Sequence, residues 1–144
     1  MLQVNEIKFR PIKDSDKSFI YSSWLKSYRE SDLAKHMVNS IYYDYHAKVI
    51  EAAMASSTII IACNDQDEDQ LYGYIVFQQI DDVALVHYTY VKFPYRKFGI
   101  GRQLFEFAQP DTEQFTVVTH IPRNFEGLSK KLNLVYNPYR MSGV

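Results

Sequence analysis

The chain has 144 residues and a mass of 16.9 kDa, 47% of it apolar and 23% charged, with 16 Lys+Arg against 17 Asp+Glu for a net charge of −1. That size fits one domain spanning residues 1–144. A single cysteine, Cys63, excludes an internal disulfide framework and any multi-cysteine metal site, and the near-neutral charge argues against a protein held to nucleic acid by phosphate neutralisation.

The N-terminal stretch carries Glu6, Lys8, Arg10, Lys13, Asp14, Asp16 and Lys17, so it holds no apolar signal region. Glu6 to Pro11 alternates, with Ile7 and Phe9 on one side, and reads as a short strand. From Asp14 or Ser15 as cap, a helical pattern runs through Ile20, Trp24 and Tyr28. A second helix is predicted over Tyr42 to Ala55. Thr58 to Cys63 is β-branched and strand-like; its run from Ile59 to Cys63 is the longest apolar stretch and far too short to span a bilayer. Asn64 to Gln70 reads as a solvated loop.

Leu71 to Ile80 and Val83 to Lys92 flank Asp81-Asp82 as two strands flank a tight turn. Gly101 to Ala108 is helical, and Pro110 ends it. Phe115 to His120 is a strand, Asn124 to Leu132 a short helix, and Leu134 to Tyr136 a last strand. The order β-α-α-β-β-β-α-β-α-β predicts an α/β (α+β) fold in a single domain. Its sheet is mixed and mostly antiparallel, of about six strands, with helices on both faces. The chain reads as soluble and cytoplasmic.

The informative segment is Val91 to Arg102, VKFPYRKFGIGR, which follows a strand and opens a helix. Arg96-Lys97-Phe98-Gly99-Ile100-Gly101 is R-x-x-G-x-G. Glycines there let the backbone approach a ligand, and the free N–H groups of the first helical turn favour an anion. Lys92, Arg96, Lys97 and Arg102 add positive charge with no acid before Glu106, an arrangement suited to a pyrophosphate. A P-loop is absent, and the dinucleotide fingerprint lacks its third glycine because Leu104 stands there.

At these residues the chain resembles the GCN5-related N-acetyltransferases (GNAT), whose motif is [Q/R]-x-x-G-x-[G/A] between the fourth strand and the third helix. Arg96, Gly99 and Gly101 match it, and Val91 stands where the family often has Val; Phe93 stands where it often has Pro, with Pro94 one step late. The resemblance implies acetyl-CoA as co-substrate, lying where the fourth and fifth strands splay apart. Backbone groups of Val91 and Phe93 would run along the pantetheine arm, and Arg96, Lys97, Phe98, Gly99, Ile100, Gly101 and Arg102 would hold the pyrophosphate. A primary amine would attack the thioester directly.

Direct transfer needs a group to take the amine proton and one to return a proton to the leaving thiolate. His87, nine residues before Arg96, sits where the related serotonin N-acetyltransferases place one of two paired histidines; Leu85 stands at the other position. In a regular strand His87 shares a face with Thr89 and Val91. A proton relay and a structural strand histidine both remain open for it. The family's usual helix tyrosine is replaced by Ser129, a much weaker acid than a phenol, so either another tyrosine such as Tyr136 or Tyr90 donates the proton, or water does, or activity is reduced.

For the acceptor, Tyr28, Tyr42, Tyr45 and Tyr90 are the candidate binding residues, with Trp24, His36, Tyr43 and His46 near them in sequence. Trp24 and Tyr28 also fit the core face of the first helix. No close metal-ligand spacing links His36, His46, His87 and His120, and no metal is expected. Two other functions stand beside the transferase: a CoA-binding module of weak or lost catalysis, and a base-modifying relative, which the net charge disfavours. After Tyr136 the family's closing strand is short, missing or supplied by a second subunit, so a homodimer is compatible with the sequence.

Overall fold

A computed structural model of the chain describes residues 6–111 and 113–142. Its elements are β1 (Ile7–Pro11), α1 (Lys17–Tyr28), α2 (Asn39–Ser56), β2 (Thr58–Asn64), β3 (Asp67–Ile80), β4 (Val83–Val91), α3 (Ile100–Ala108), β5 (Thr116–Val118), α4 (Phe125–Leu132) and β6 (Leu134–Tyr136). The six strands form one sheet in the order β1-β2-β3-β4-β5-β6. Pairing is antiparallel from β1 to β4 and parallel from β4 to β6. This is the mixed α+β architecture expected from the order of elements.

Both faces of the sheet are buried, which explains the nearly continuous apolar run of β3. Tyr74 and Val76 point to one side, under Ile20, Trp24 and Tyr28 of α1 and Tyr42, Ile50 and Ala53 of α2. Ile75 and Phe77 point to the other, under Ile100, Leu104, Phe105 and Ala108 of α3 and Leu132 of α4. Trp24 stacks on Tyr88 with centroids 4.9 Å apart, so the first helix does turn its Trp24–Tyr28 face to the core.

Several boundaries differ from the sequence reading, each for a local reason. The polar stretch after β2 is strand from Asp67 onward, and only Asp65 and Gln66 form the turn. Its charges disguise it: Glu68 binds Lys8 at 2.5 Å and Lys13 at 2.6 Å, stitching the extended end of β3 to the β1 side. Asp14 and Ser15 do not cap α1. Instead Asp16 turns inward to accept two bonds from the buried Arg10 guanidinium, 2.7 and 3.1 Å, and one from the Lys13 N–H at 2.8 Å. Helix α2 begins at Asn39, three residues earlier than the predicted Tyr42.

The Asp81-Asp82 turn is as tight as expected, with φ of 51° and 64°, the left-handed pair that suits a two-residue hairpin. Among the described residues no strand follows β6. Pro138–Ser142 forms a 3-10 turn instead, with Met141 packed on the core beneath α1 and α2.

Candidate active site

The site is built where β4 loses its second neighbour. The Lys92 N–H donates to the Tyr72 carbonyl at 2.8 Å. By the alternation of an antiparallel ladder, Tyr88, Tyr90 and Lys92 therefore turn their backbone groups to β3, while Thr89 and Val91 turn theirs toward β5. The β5 ladder stops at Val118 opposite Val86.

Beyond that point side chains replace the missing strand. Thr119 donates its N–H to the Val86 carbonyl (3.1 Å) and its Oγ1–H to the His87 carbonyl (3.2 Å). The Thr89 N–H donates to His120 Nε2 at 3.3 Å, and Arg96 Nε donates to the Val91 carbonyl at 2.8 Å. The predicted strand over Phe115 to His120 is shorter: the Thr119 N–H closes the last backbone bond to Val86, and beyond it contact with β4 passes to the Thr119 hydroxyl and the His120 ring.

The R-x-x-G-x-G segment forms the turn at the open end of β4. Gly99 has φ of 78° and immediately precedes α3, and a Cβ built on it would meet nothing within 4 Å. Backbone conformation, not space, calls for glycine there. The first intrahelical bond runs from Gln103 N–H to Gly99 O, 3.1 Å, so the preceding N–H groups project from the helix start.

Of the residues named for the cofactor, Val91, Phe93, Arg96, Lys97, Phe98, Gly99, Ile100, Gly101 and Arg102 all lie along this one edge and turn. Their side chains differ in what they offer. Phe93 and Lys97 are exposed, Phe98 packs partly on the core under α3 and α4, and Ile100 is buried in it, leaving only its backbone facing the turn. The Arg96 guanidinium lies over the rings of Tyr90 and Phe93 at 5.9 and 5.6 Å. Burial and then the neighbouring Arg123 push its pKa down. Arg102 faces Glu106 at 3.5 Å, so its charge is shared one helical turn away.

His87 stands at a β-bulge. Val76 pairs with Tyr88 and Phe77 with Val86, which leaves His87 as the extra residue on β4. The bulge corrects the face expected from simple alternation: Thr89 pairs with Ile75 and Val91 packs on the α3 side, whereas His87 lines a cavity under α2. Its Nε2 lies 2.6 Å from Gln78 Oε1, and the Gln78 Nε2 donates to the Ser56 carbonyl at 3.1 Å. That second bond fixes the amide orientation, so His87 Nε2 is the donor and Nδ1 carries the lone pair. Nδ1 is buried without a protein partner. Burial, with Arg140 nearby, lowers the His87 pKa to about 4.

The tyrosines named for the acceptor divide between two cavities. One of about 560 Å³ is lined by Tyr45, Lys48, Val49, Gln78, His87 and Met141 among others. The other, about 270 Å³, is lined by Tyr28, Tyr42, His46, Tyr139 and Met141 among others. Tyr28 and Tyr42 are also core residues: Tyr28 stacks on His46 at 4.3 Å, and the Tyr42 hydroxyl donates to the Leu25 carbonyl. Tyr45 and Tyr43 are exposed. Tyr90 lies on neither cavity wall and packs instead beside Tyr74 and Arg96.

Tyr136 is partly buried against the core under α3 and α4; burial and then the charge of Asp32 raise its pKa. Ser129 donates its hydroxyl to the Phe125 carbonyl at 2.6 Å, back into its own helix. Two contributors escaped the sequence reading. His120 reads as the last residue of the strand over Phe115 to His120, whereas it lies past the end of β5, and Gly73 sits mid-strand. A Cβ on Gly73 would lie 2.4 Å from the Tyr90 carbonyl oxygen, so glycine there is what lets β3 approach β4 this closely.

The sequence profile of the acetyltransferase (GNAT) family matches residues 17–119. No curated protein sequence matches the chain. Among solved structures it is similar to a possible acetyltransferase from Clostridium difficile 630, with TM-score 0.62, 15% identity, and 92% of this chain and 91% of that one covered. A putative acetyl transferase from Pyrococcus furiosus gives TM-score 0.57 at 17% identity, covering 92% of this chain and 82% of that one. The PaiA N-acetyltransferase of Thermoplasma acidophilum, in complex with coenzyme A, gives TM-score 0.50 at 16% identity, covering 72% and 70%. The chain spans 62% of the length of a Staphylococcus aureus GNAT-family acetyltransferase. Among the described residues no helix is long and apolar enough to cross a membrane, and no three His, Cys, Asp or Glu side chains group as metal ligands.

Proposed function

This chain belongs to the acetyltransferase (GNAT) family, and from that premise we propose that it is an acyl-CoA-dependent N-acyltransferase, moving acetyl from acetyl-CoA to a primary amine by direct attack. The observation that carries the reading is the glycine turn at Gly99. It opens α3 beside the edge where β4 and β5 part, so helix N–H groups and an unpaired strand edge meet at one place. The first suits a pyrophosphate and the second an extended amide-bearing arm. Arg96, Lys97 and Arg102 would supply countercharge. Backbone groups from Phe98 to Gly101 would hold the phosphates, and those of Val91 and Phe93 would follow the pantetheine.

The same proposal gives His87 the amine proton. Its Nδ1 lone pair is oriented by the Gln78 bond, and at about pKa 4 the ring is neutral at working pH. Such a ring accepts a proton only weakly, so it would serve an amine already attacking. Tyr136 is the candidate to reprotonate the thiolate, and Tyr28, Tyr42, Tyr45 and Tyr90 are the candidates to hold the acceptor. A second reading, a CoA-binding module with little turnover, has its own support in Ser129, whose hydroxyl is committed to Phe125.

Calorimetric titration with acetyl-CoA tests the first step, and absence of binding at millimolar ligand would refute it. Thiol release across an amine panel then separates enzyme from binding module. His87→Ala is expected to lower turnover more than it weakens cofactor binding; equal turnover would remove His87 from the reaction.

A further inference from the structure

Thr89 carries the outward N–H nearest the bulge on the unpaired length of β4, and His120 occupies it. A backbone N–H only donates, so His120 Nε2 must be the acceptor, and the ring proton of the neutral imidazole sits on Nδ1. That Nδ1–H is buried with no protein partner, in a residue only 4% exposed. The ring is held by one long hydrogen bond of 3.3 Å and by a tilted contact with Tyr88 at 4.7 Å. Its occupation of the edge therefore leaves a donor unsatisfied, which weakens the occupied arrangement from within.

We infer that His120 is a displaceable cap on the acyl-CoA edge of β4: it fills the wedge between the strands, and a ligand carbonyl takes the Thr89 N–H in its place. The inference rests on the acyl-CoA reading above and adds a regulating contact to that site. Arg96 makes a matching substitution one step along, because its Nε holds the Val91 carbonyl that an extended ligand amide would otherwise meet. Burial, with His87 close by, depresses the His120 pKa to about 3. The ring therefore stays an acceptor through the neutral range and does not release Thr89 by protonation there. Ligand binding must displace it, so the measured affinity is the intrinsic one multiplied by the fraction of uncapped protein.

The test is calorimetric titration of acetyl-CoA into the wild type, His120→Ala and His120→Gln. Removing the cap in His120→Ala is expected to tighten binding about 2- to 10-fold, the range of one net hydrogen bond. His120→Gln, whose carbonyl oxygen can still accept from Thr89, should stay near the wild type. Equal or weaker binding by a folded His120→Ala overturns the cap while leaving the acyl-CoA reading intact; failure of wild type and variants alike to bind overturns both. A second readout needs no variant. Nitrogen-15 spectra of the imidazole should show the Nδ1–H form in the free protein. Its Nε2 and the Thr89 amide should both shift on saturation with acetyl-CoA; an Nε2–H form, or no shift in either signal, overturns the proposal.

Discussion

Three histidines are buried as neutral rings, and together they make the fold acid-labile at a mild pH. His46, His87 and His120 are 8%, 4% and 4% exposed. Burial lowers their pKa values to about 4, 4 and 3, against about 6.5 in an unfolded chain. Between those limits the unfolded state binds protons that the folded state refuses, so stability rises with pH and is lost as pH falls below about 6.5. At pH 5 each ring costs about 2 kcal/mol relative to high pH, and the three together about 6 kcal/mol. A domain of this size is stable by about 5–15 kcal/mol in total, so most or all of its margin is at stake. Urea unfolding followed by Trp24 fluorescence and far-ultraviolet circular dichroism at pH 7, 6, 5.5 and 5 measures the slope. It should approach three protons near pH 5 and drop by about one in His46→Gln or His87→Gln variants that stay folded. Unfolding free energies that are flat from pH 7 to 5 would refute the reasoning.

Three further outcomes follow from packing, a buried ion pair and backbone conformation. Gly73→Ala places a methyl group against the Tyr90 carbonyl and should cost about 1–3 kcal/mol in urea unfolding, with weaker acetyl-CoA binding because the displaced backbone is that of β4. Asp16→Ala strands the buried Arg10 guanidinium and should cost about 3–5 kcal/mol, while Arg10→Met with Asp16→Leu should recover much of it; thermal melts of the two check this. Gly99→Ala forces a side chain into φ of 78° and should cost about 1–2 kcal/mol, with a larger proportional loss in acetyl-CoA affinity than in stability; an affinity that holds would detach the turn from ligand binding.

The fold was legible because its signals are local and repeated. Unbroken apolar, β-branched and aromatic runs in β3 and β4, a double-Asp hairpin, and α3 opening on Gly99 each state their geometry within ten residues. What stayed hidden depends on partners distant in sequence. The charged start of β3 looks like a loop until Lys8 and Lys13 are seen to meet Glu68. Asp16 looks like part of a solvated cap until Arg10 arrives from β1. In the site, the glycine turn was readable from residue types alone. The face of His87 was not, because a bulge is set by the pairing of two strands and leaves no mark on either one. His120 escaped because a side chain standing in for a strand has no pattern to repeat.

That extra residue at His87 has a consequence for numbering. It makes β4 two phases spliced together: Val83 to Val86 keep one parity of inside and outside, and Tyr88 to Val91 keep the opposite one. Counting backwards from Arg96 therefore assigns faces correctly as far as Tyr88 and wrongly beyond it. Deleting His87 would restore one parity along the strand and exchange the two faces for Ala84, Leu85 and Val86, sending Val86, which packs with α3, toward α2 and Leu85 the other way. A deletion of one residue at this point is thus a change in every position upstream of it, whereas the same deletion at the exposed Glu113 or Gln114 shifts no ladder.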